Sequence, residues 1–254
     1  MTGRLGALLW PGRPAQRDHE PAVPPLSLRR RVGGDRMQPS VEAWIEGGEL
    51  DARLIRELVE RHRPLDEMGA ILDFGCGCGR VARHWATLDG PAIFGSDYNK
   101  RLARWCRAKL PFMNVTTNKG EPPLSFTNES FELVYAISVF SHLPEGPQRA
   151  WMTELRRVLK PGGLLLFTVK GPRFERKLTD AEQELFTRGR FVVHNSELSG
   201  NNACSAFHPP NYVRQELLPT VGLEFVESVH EKPPGTPNIA SVLLWQDTYL
   251  ARRQ

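Results

Sequence analysis

The stretch Ile71-Leu72-Asp73-Phe74-Gly75-Cys76-Gly77-Cys78-Gly79-Arg80 carries an apolar run straight into three alternate glycines. The run Ala70–Phe74 predicts a short buried strand, and the glycines predict a tight turn into a helix bearing Val81, Trp85 and Leu88. Glycine tolerates positive φ and lets a backbone approach a ligand closely. In an open α/β sheet, ligands bind beyond the carboxyl ends of the strands. A second strand, Ala92–Gly95, ends at Ser96-Asp97, where a carboxylate can accept hydrogen bonds from two ribose hydroxyls. The glycines alone leave alternatives open. Gly77-x-Gly79-x-x-Ala82 also fits the looser dinucleotide fingerprint, and glycines can simply permit a turn.

Outward from this stretch the chain keeps alternating strand and helix. Upstream, the helical period takes over from Val41. Leu54, Ile55, Leu58, Val59 and His62 share one face, Asp51 is a candidate N-cap, and Pro64 stops the run. Downstream come a helix with Leu102, Trp105, Cys106 and Leu110, strands over Phe112–Thr117 and Phe131–Ile137, and a helix striped by Trp151, Leu155, Val158 and Leu159. Lys160-Pro161-Gly162-Gly163 punctuates that helix, and Leu164–Val169 is apolar throughout, as at the centre of a parallel sheet. Repeated βα units predict an α/β, doubly wound, Rossmann-like sheet.

The last third changes character. Thr179-Asp180-Ala181-Glu182 is a capping box. Phe191–Val193 reads as a short strand, Ser199–Asn202 as a polar loop, and Pro209-Pro210 as a helix start before Tyr212–Leu218. Leu223–Val229 and Ile239–Trp245 read as two further strands, antiparallel at the sheet edge because no helix separates them. The domain reading is a Pro/Arg-rich, partly disordered extension over 1–39 and one domain over 40–254, with 171–220 an insertion on the acceptor side.

The chain has 254 residues, 40% hydrophobic and 24% charged, which excludes a disulfide-scaffold peptide, a collagen and a wholly disordered chain. The formal charge is +4. Residues 1–36 hold seven Arg and three acids, so that segment carries the whole excess and the remainder is neutral. With no basic face on the folded part, nucleic acid is not an expected partner; an RNA-binding arm at Arg29–Arg31 is the rival reading. Cys76 and Cys78 form C-x-C without a second pair, so no metal site is expected. They read as small loop residues. No apolar run reaches the length of a membrane span, and four cysteines without a secretory signal read as cytoplasmic.

Three separated blocks, in order, resemble the class I S-adenosylmethionine-dependent methyltransferases. They are Leu72–Arg80 with Asp97 beyond it, Ser130–Glu145 (SFELVYAISVFSHLPE) and Glu154–Val169 (ELRRVLKPGGLLLFTV). With the hairpin-like end, the resemblance spans roughly residues 50–250. The second and third blocks set the nicotinamide-dependent alternative aside. The resemblance implies a seven-stranded sheet with the last strand antiparallel and S-adenosylmethionine as cofactor. It also implies site residues. Asp73, Gly75, Cys76, Gly77 and Gly79 would line the methionine and ribose end, and Asp97 would hold the ribose hydroxyls. Tyr98 would lie beside the adenine, Asn118 near its amine, and Ala136 and Ser138 beside the sulfonium. Glu132 departs from the family's usual Asp, a difference expected to concern packing.

A sulfonium methyl is already activated, so alignment supplies much of the catalysis, and a base helps only where the acceptor must lose a proton. His142, after the fourth strand, is the candidate base, or else a residue that positions its loop. His194, Asn202, His208 and Tyr212 are candidate acceptor-side residues. The fourth strand ends in Ala-Ile-Ser-Val-Phe, not in the Asp/Asn-Pro-Pro-Tyr/Phe of many nitrogen methyltransferases, and no Pro-Cys follows it. A small-molecule acceptor is therefore expected. The alternative is a non-catalytic partner subunit of the same fold.

Overall fold

The computed structural model describes residues 21–33, 40–230 and 241–254. Nine strands occur among these residues: β1 (Ala70–Phe74), β2 (Ala92–Asp97), β3 (Met113–Thr117), β4 (Phe131–Ala136), β5 (Leu159–Val169), β6 (Val192–His194), β7 (Ser205–Phe207), β8 (Leu223–Val229) and β9 (Asp247–Arg253). Seven form one sheet in the order β3-β2-β1-β4-β5-β9-β8, and β6 and β7 pair separately. β1 to β5 are mutually parallel, while β9 is antiparallel to both neighbours. The strand order reverses between β1 and β4, which opens a crevice at their carboxyl ends.

Alternation along the strands divides the apolar residues between two cores. Ile71, Leu133, Tyr135, Leu164 and Leu166 face α2 (Val41–Glu60), burying Ile55, Leu58, Val59 and Trp85. Leu72, Phe74, Val134, Ala136, Leu165 and Phe167 face the other way, against Trp151, Met152 and Leu155 of α4 (Glu145–Val158). α3 (Lys100–Lys109) follows β2 and is capped by Asn99, whose side chain accepts from the Arg101 and Leu102 amides. α5 (Asp180–Thr187) opens on the expected capping box of Thr179 and Glu182. A wide helical turn, Tyr212–Leu217, leads through α6 (Leu218–Thr220) into β8. No helix among the described residues is long and apolar enough to cross a membrane.

Four expectations change. α1 (Leu26–Gly33) forms inside the proline-rich extension, because Leu28 packs beside Trp44 in a small cluster that the extension could not build alone. Residues 1–20 and 34–39 of that extension lie outside the described residues. α2 starts at Val41 with Ser40 as its cap, so Asp51 lies mid-helix. The helix expected after the glycines is a single tight turn, Ala82–Trp85. The last strand is Asp247–Arg253; Ser241–Trp245 forms turns, and Ile239 is outside the described residues.

Asp51 accounts for the second and fourth of these. It is fully buried and accepts from Arg80 (2.5 Å), Ser241 Oγ (2.5 Å), and the Val242 and Leu243 amides (3.1 and 3.0 Å). One carboxylate thus ties α2, the end of the glycine loop and the approach to β9. Glu132 receives Lys160 Nζ (2.5 Å) and the Ala70 amide (2.9 Å) at the amino end of β1, a packing role away from the crevice.

Removing the Asp51 carboxylate leaves a buried guanidinium and three donors without an acceptor. Asp51→Ala is expected to cost about 3–5 kcal/mol of stability, read as a lowered urea midpoint. A loss below 1 kcal/mol would show that water satisfies these groups.

Candidate functional site

A cavity of about 600 Å³ opens at the crevice between β1 and β4. Its floor comes from the strand ends, with Phe74, Gly75 and Gly77 after β1, Asp97 and Tyr98 after β2, Asn118 after β3, and Ser138 and Val139 after β4. The volume suits a small molecule of nucleoside size with room beside it.

Gly75 and Gly77 take φ of +78° and +56°. A Cβ on Gly75 would lie 2.5 Å from Val139, and one on Gly77 2.7 Å from Val32 of α1, so both need glycine. The Gly75 and Cys76 amides donate to the Ser96 carbonyl (2.8 and 3.1 Å). Asp97 accepts from the Gly77 amide through Oδ2 (2.8 Å) and from the Asn99 amide through Oδ1 (2.7 Å). Each oxygen retains a lone-pair direction. Burial raises the Asp97 pKa, against these two bonds. Asn118 accepts from Ser96 Oγ (2.8 Å) and donates to the Lys119 carbonyl (2.7 Å), which fixes its amide. Ser138 sits at φ +60°, held by Thr168 Oγ1 on its amide (2.8 Å) and Gln246 Nε2 on its hydroxyl (3.0 Å).

The β6–β7 ribbon and its connecting loop close the other side. The Gly200 amide donates to the His142 carbonyl (2.8 Å), and Tyr98 Oη donates to the Gly200 carbonyl (3.0 Å). His142 Nδ1 lies 2.8 Å from the Cys204 carbonyl. A carbonyl only accepts, so the neutral ring carries its proton on Nδ1 and leaves Nε2 as an acceptor. Burial first, then the Lys170 ammonium, push the His142 pKa down to about 4. Lys170 itself is buried, donates to the Ser141 carbonyl (3.1 Å) and Ser205 Oγ (2.9 Å), and is lowered to about 8 by burial.

Of the residues singled out from sequence, Gly75, Gly77, Asp97, Tyr98, Asn118, Ser138, His142 and Asn202 line this cavity. Asp73, Cys76, Gly79 and Ala136 do not. Asp73 lies on the strand face opposite Phe74 and bonds Tyr135, whose hydroxyl also receives Trp85 Nε1 (3.0 Å). Burial raises Asp73 to about 7, with repulsion from Asp97 adding to it. Cys76 is buried beneath the loop, Gly79 faces Leu110, and Ala136 is core. The four described cysteines are free and buried. Three acceptor-side expectations, His194, His208 and Tyr212, also lie outside the cavity lining and hold other partners. His194 meets Glu182 (3.0 Å), His208 meets Gln148 (2.9 Å) and Tyr212 donates to Glu145 (3.0 Å). Among the described residues no cluster of three or more His, Cys, Asp or Glu could hold a metal. Arg30, Arg31 and Val32 of α1 and Lys119 also line the cavity, and sequence reasoning missed them. The Arg29–Arg31 cluster was the only available signal, and nothing in the chain order says that it folds back.

A family described as "Methyltransferase domain" matches residues 71–163. The chain is 30% identical over 125 residues to a fatty-acid O-methyltransferase of Mycolicibacterium smegmatis, covering 46% of this chain and 45% of that one. It is 30% identical over 163 residues to the sterol 24-C-methyltransferase ERG6 of Saccharomyces cerevisiae, covering 62% and 40%. The chain therefore spans less than half the length of these curated relatives. Magnesium protoporphyrin IX methyltransferase from Synechocystis, solved with bound SAH, superposes with a TM-score of 0.58 at 16% identity, covering 90% of this chain and 94% of that one. A SAM-dependent methyltransferase of Methanosarcina mazei superposes with a TM-score of 0.57 at 18% identity, covering 77% and 96%. Both share the fold.

Buried histidines set an acid limit on this architecture. Burial lowers His142 and His84 to about 4 and His208 to about 3, against an ordinary 6.5. Between those values the unfolded chain binds protons that the folded chain refuses. The stability present above pH 6.5 is therefore lost as pH falls toward the folded values, at up to about 1.4 kcal/mol per pH unit for each ring. Urea midpoints are expected to fall steadily from pH 6.5 to 4, and His208→Gln to flatten the slope. An unchanged slope in that variant would mean that His208 takes up its proton in the folded state.

Proposed function

We propose that the chain is a class I S-adenosylmethionine-dependent methyltransferase and that it transfers the cofactor's methyl group to a small-molecule acceptor by in-line displacement. One observation carries the reading. A cavity at the β1/β4 crevice is rimmed by two positive-φ glycines and by Asp97, whose oxygens keep lone pairs beside their bonds to Gly77 and Asn99.

The residues present fit the cofactor. Gly75 and Gly77 bring bare backbone to the cavity wall, which leaves room for its amino-acid end. Asp97 would accept from the ribose hydroxyls, and Tyr98 and Asn118 would flank the base. When bound, the cofactor supplies a methyl group on a cationic sulfur that leaves as a neutral thioether. The chain's own work is alignment and exclusion of water, worth up to about 7–11 kcal/mol in model reactions. The ribbon loop, tied down through Tyr98 and His142, would cover the reacting centre.

We read His142 as a positioning acceptor. A ring with a pKa of about 4 is a weak base at neutral pH, but its Nε2 can receive a hydrogen bond from an acceptor or an ordered water. Relatives that act on fatty acids and sterols support a small acceptor, as does a cavity walled on one side by Leu143 and Trp151.

Calorimetric titration with S-adenosylhomocysteine is expected to show one saturable site. Asp97→Asn, which removes a charged acceptor, should weaken it about 10- to 100-fold. Equal affinity would move the ribose elsewhere, and no binding by the folded wild-type chain would favour the non-catalytic partner subunit. His142→Ala should keep S-adenosylhomocysteine affinity within about twofold while slowing methyl transfer, since the ring is assigned to the acceptor and not the cofactor. A large loss of affinity would place His142 in the cofactor site instead.

A further inference from the structure

We propose that Tyr98 is a positioning residue that couples the cofactor to the acceptor wall. A base held against its ring would fix its hydroxyl on the Gly200 carbonyl and so hold the ribbon loop shut. The inference rests on the cofactor reading above and adds how occupancy of one half of the cavity sets the shape of the other.

The path is short and runs through one residue. Tyr98 follows Asp97 at the end of β2 and lines the cavity on the side given above to the base. Its ring is 52% exposed, and its Oη donates to the Gly200 carbonyl (3.0 Å). The Gly200 amide donates in turn to the His142 carbonyl (2.8 Å). Gly200 therefore stands between Tyr98, beside the proposed cofactor, and His142, which faces the acceptor. Ser199, Asn201, Asn202 and Ala203 on either side of it also line the cavity. The same loop brings the Cys204 carbonyl to His142 Nδ1 (2.8 Å), so its placement sets the imidazole as well.

The loop has little else to hold it. Ser199 and residues 201–203 are exposed, and their hydrogen bonds stay inside the ribbon. The Asn201 amide donates to the Leu198 carbonyl (2.9 Å), the Ala203 amide to Asn201 Oδ1 (3.1 Å), and Asn195 Nδ2 to the Ala203 carbonyl (3.0 Å). Among the described residues, the two bonds at Gly200 are the only hydrogen bonds from residues 199–203 to the chain beyond the ribbon. A hydroxyl on a half-exposed ring exchanges such a bond for water at little cost. A nucleoside base against that ring covers its exposed face and restricts its rotation, which favours the placed hydroxyl. Linkage makes the effect mutual: what the guest adds to loop closure, closure returns as guest affinity.

Hydrogen exchange of the full chain would be followed at residues 199–203 with and without saturating S-adenosylhomocysteine. Bound ligand should slow exchange there about two- to tenfold, the worth of one hydrogen bond. Tyr98→Phe keeps the ring and loses the hydroxyl. It should abolish that slowing, weaken S-adenosylhomocysteine by the matching factor and raise its dissociation rate. Tyr98→Leu, which loses the ring as well, should weaken the ligand further, with loop exchange no faster than in Tyr98→Phe. Loop exchange that the bound ligand leaves unchanged in the wild-type chain overturns the coupling alone. Slowing that persists in Tyr98→Phe also overturns it, since the ligand would then act on the loop without Tyr98. If the folded wild-type chain binds no S-adenosylhomocysteine, the cofactor reading fails and the coupling falls with it.

Discussion

The bond from the Gly77 amide to Asp97 Oδ2, 2.8 Å long, joins the loop after β1 to the end of β2 and so shapes the rim of the cavity. It requires a left-handed glycine on one side and a buried carboxylate on the other. Each has a reason in the sheet. Parallel pairing of β1 with β2 brings Phe74 level with Ser96, and the next residues of both strands must meet. The Ser96 carbonyl takes the Gly75 and Cys76 amides, which leaves Gly77 to reach Asp97. A side chain at Gly77 would strike Val32, so the same glycine also sets how closely α1 can lie over the loop.

Behind this rim stands Asp51. Its carboxylate gathers Arg80, Ser241 Oγ and two backbone amides into one buried knot. The knot links α2 with segments far apart in the chain, the end of the glycine loop and the turn before β9. Such a charge is costly to bury and is tolerated because every oxygen is occupied. Gln246, a few residues past that turn, then reaches Ser138 and Thr168 at the cavity floor. Packing at the back of the sheet is in this way connected to the site at its front.

The ribbon loop contributes the opposite wall by a different logic. It has little apolar anchoring of its own and is held by polar ties: Gly200 to His142 and Tyr98, Cys204 to His142, and Ser205 to Lys170. His142 spends Nδ1 and its carbonyl on this loop and keeps Nε2 available. The cost of that arrangement is a buried ring beside an ammonium, which keeps it neutral far into acid.

The sequence by itself determined the sheet except for β9, because strand identity rests on local apolar runs and on glycines and prolines that break them, and the run that read as the last strand lies just before Asp247–Arg253. It also pointed to Gly75, Gly77 and Asp97, since a glycine turn and a strand-ending acid are local patterns with a physical meaning. The strand face of Asp73 follows from simple alternation and could have been read. Tertiary structure decided the rest. Asp51 looked like a cap until its partners arrived from residues 80 and 241–243. His194, His208 and Tyr212 looked like acceptor ligands until Glu182, Gln148 and Glu145 took their polar atoms. Arg31 read as part of a partly disordered extension until α1 folded against Trp44 and over Gly77. In each case the deciding partner is distant in the chain, and a polar side chain carries no mark of which distant partner will satisfy it.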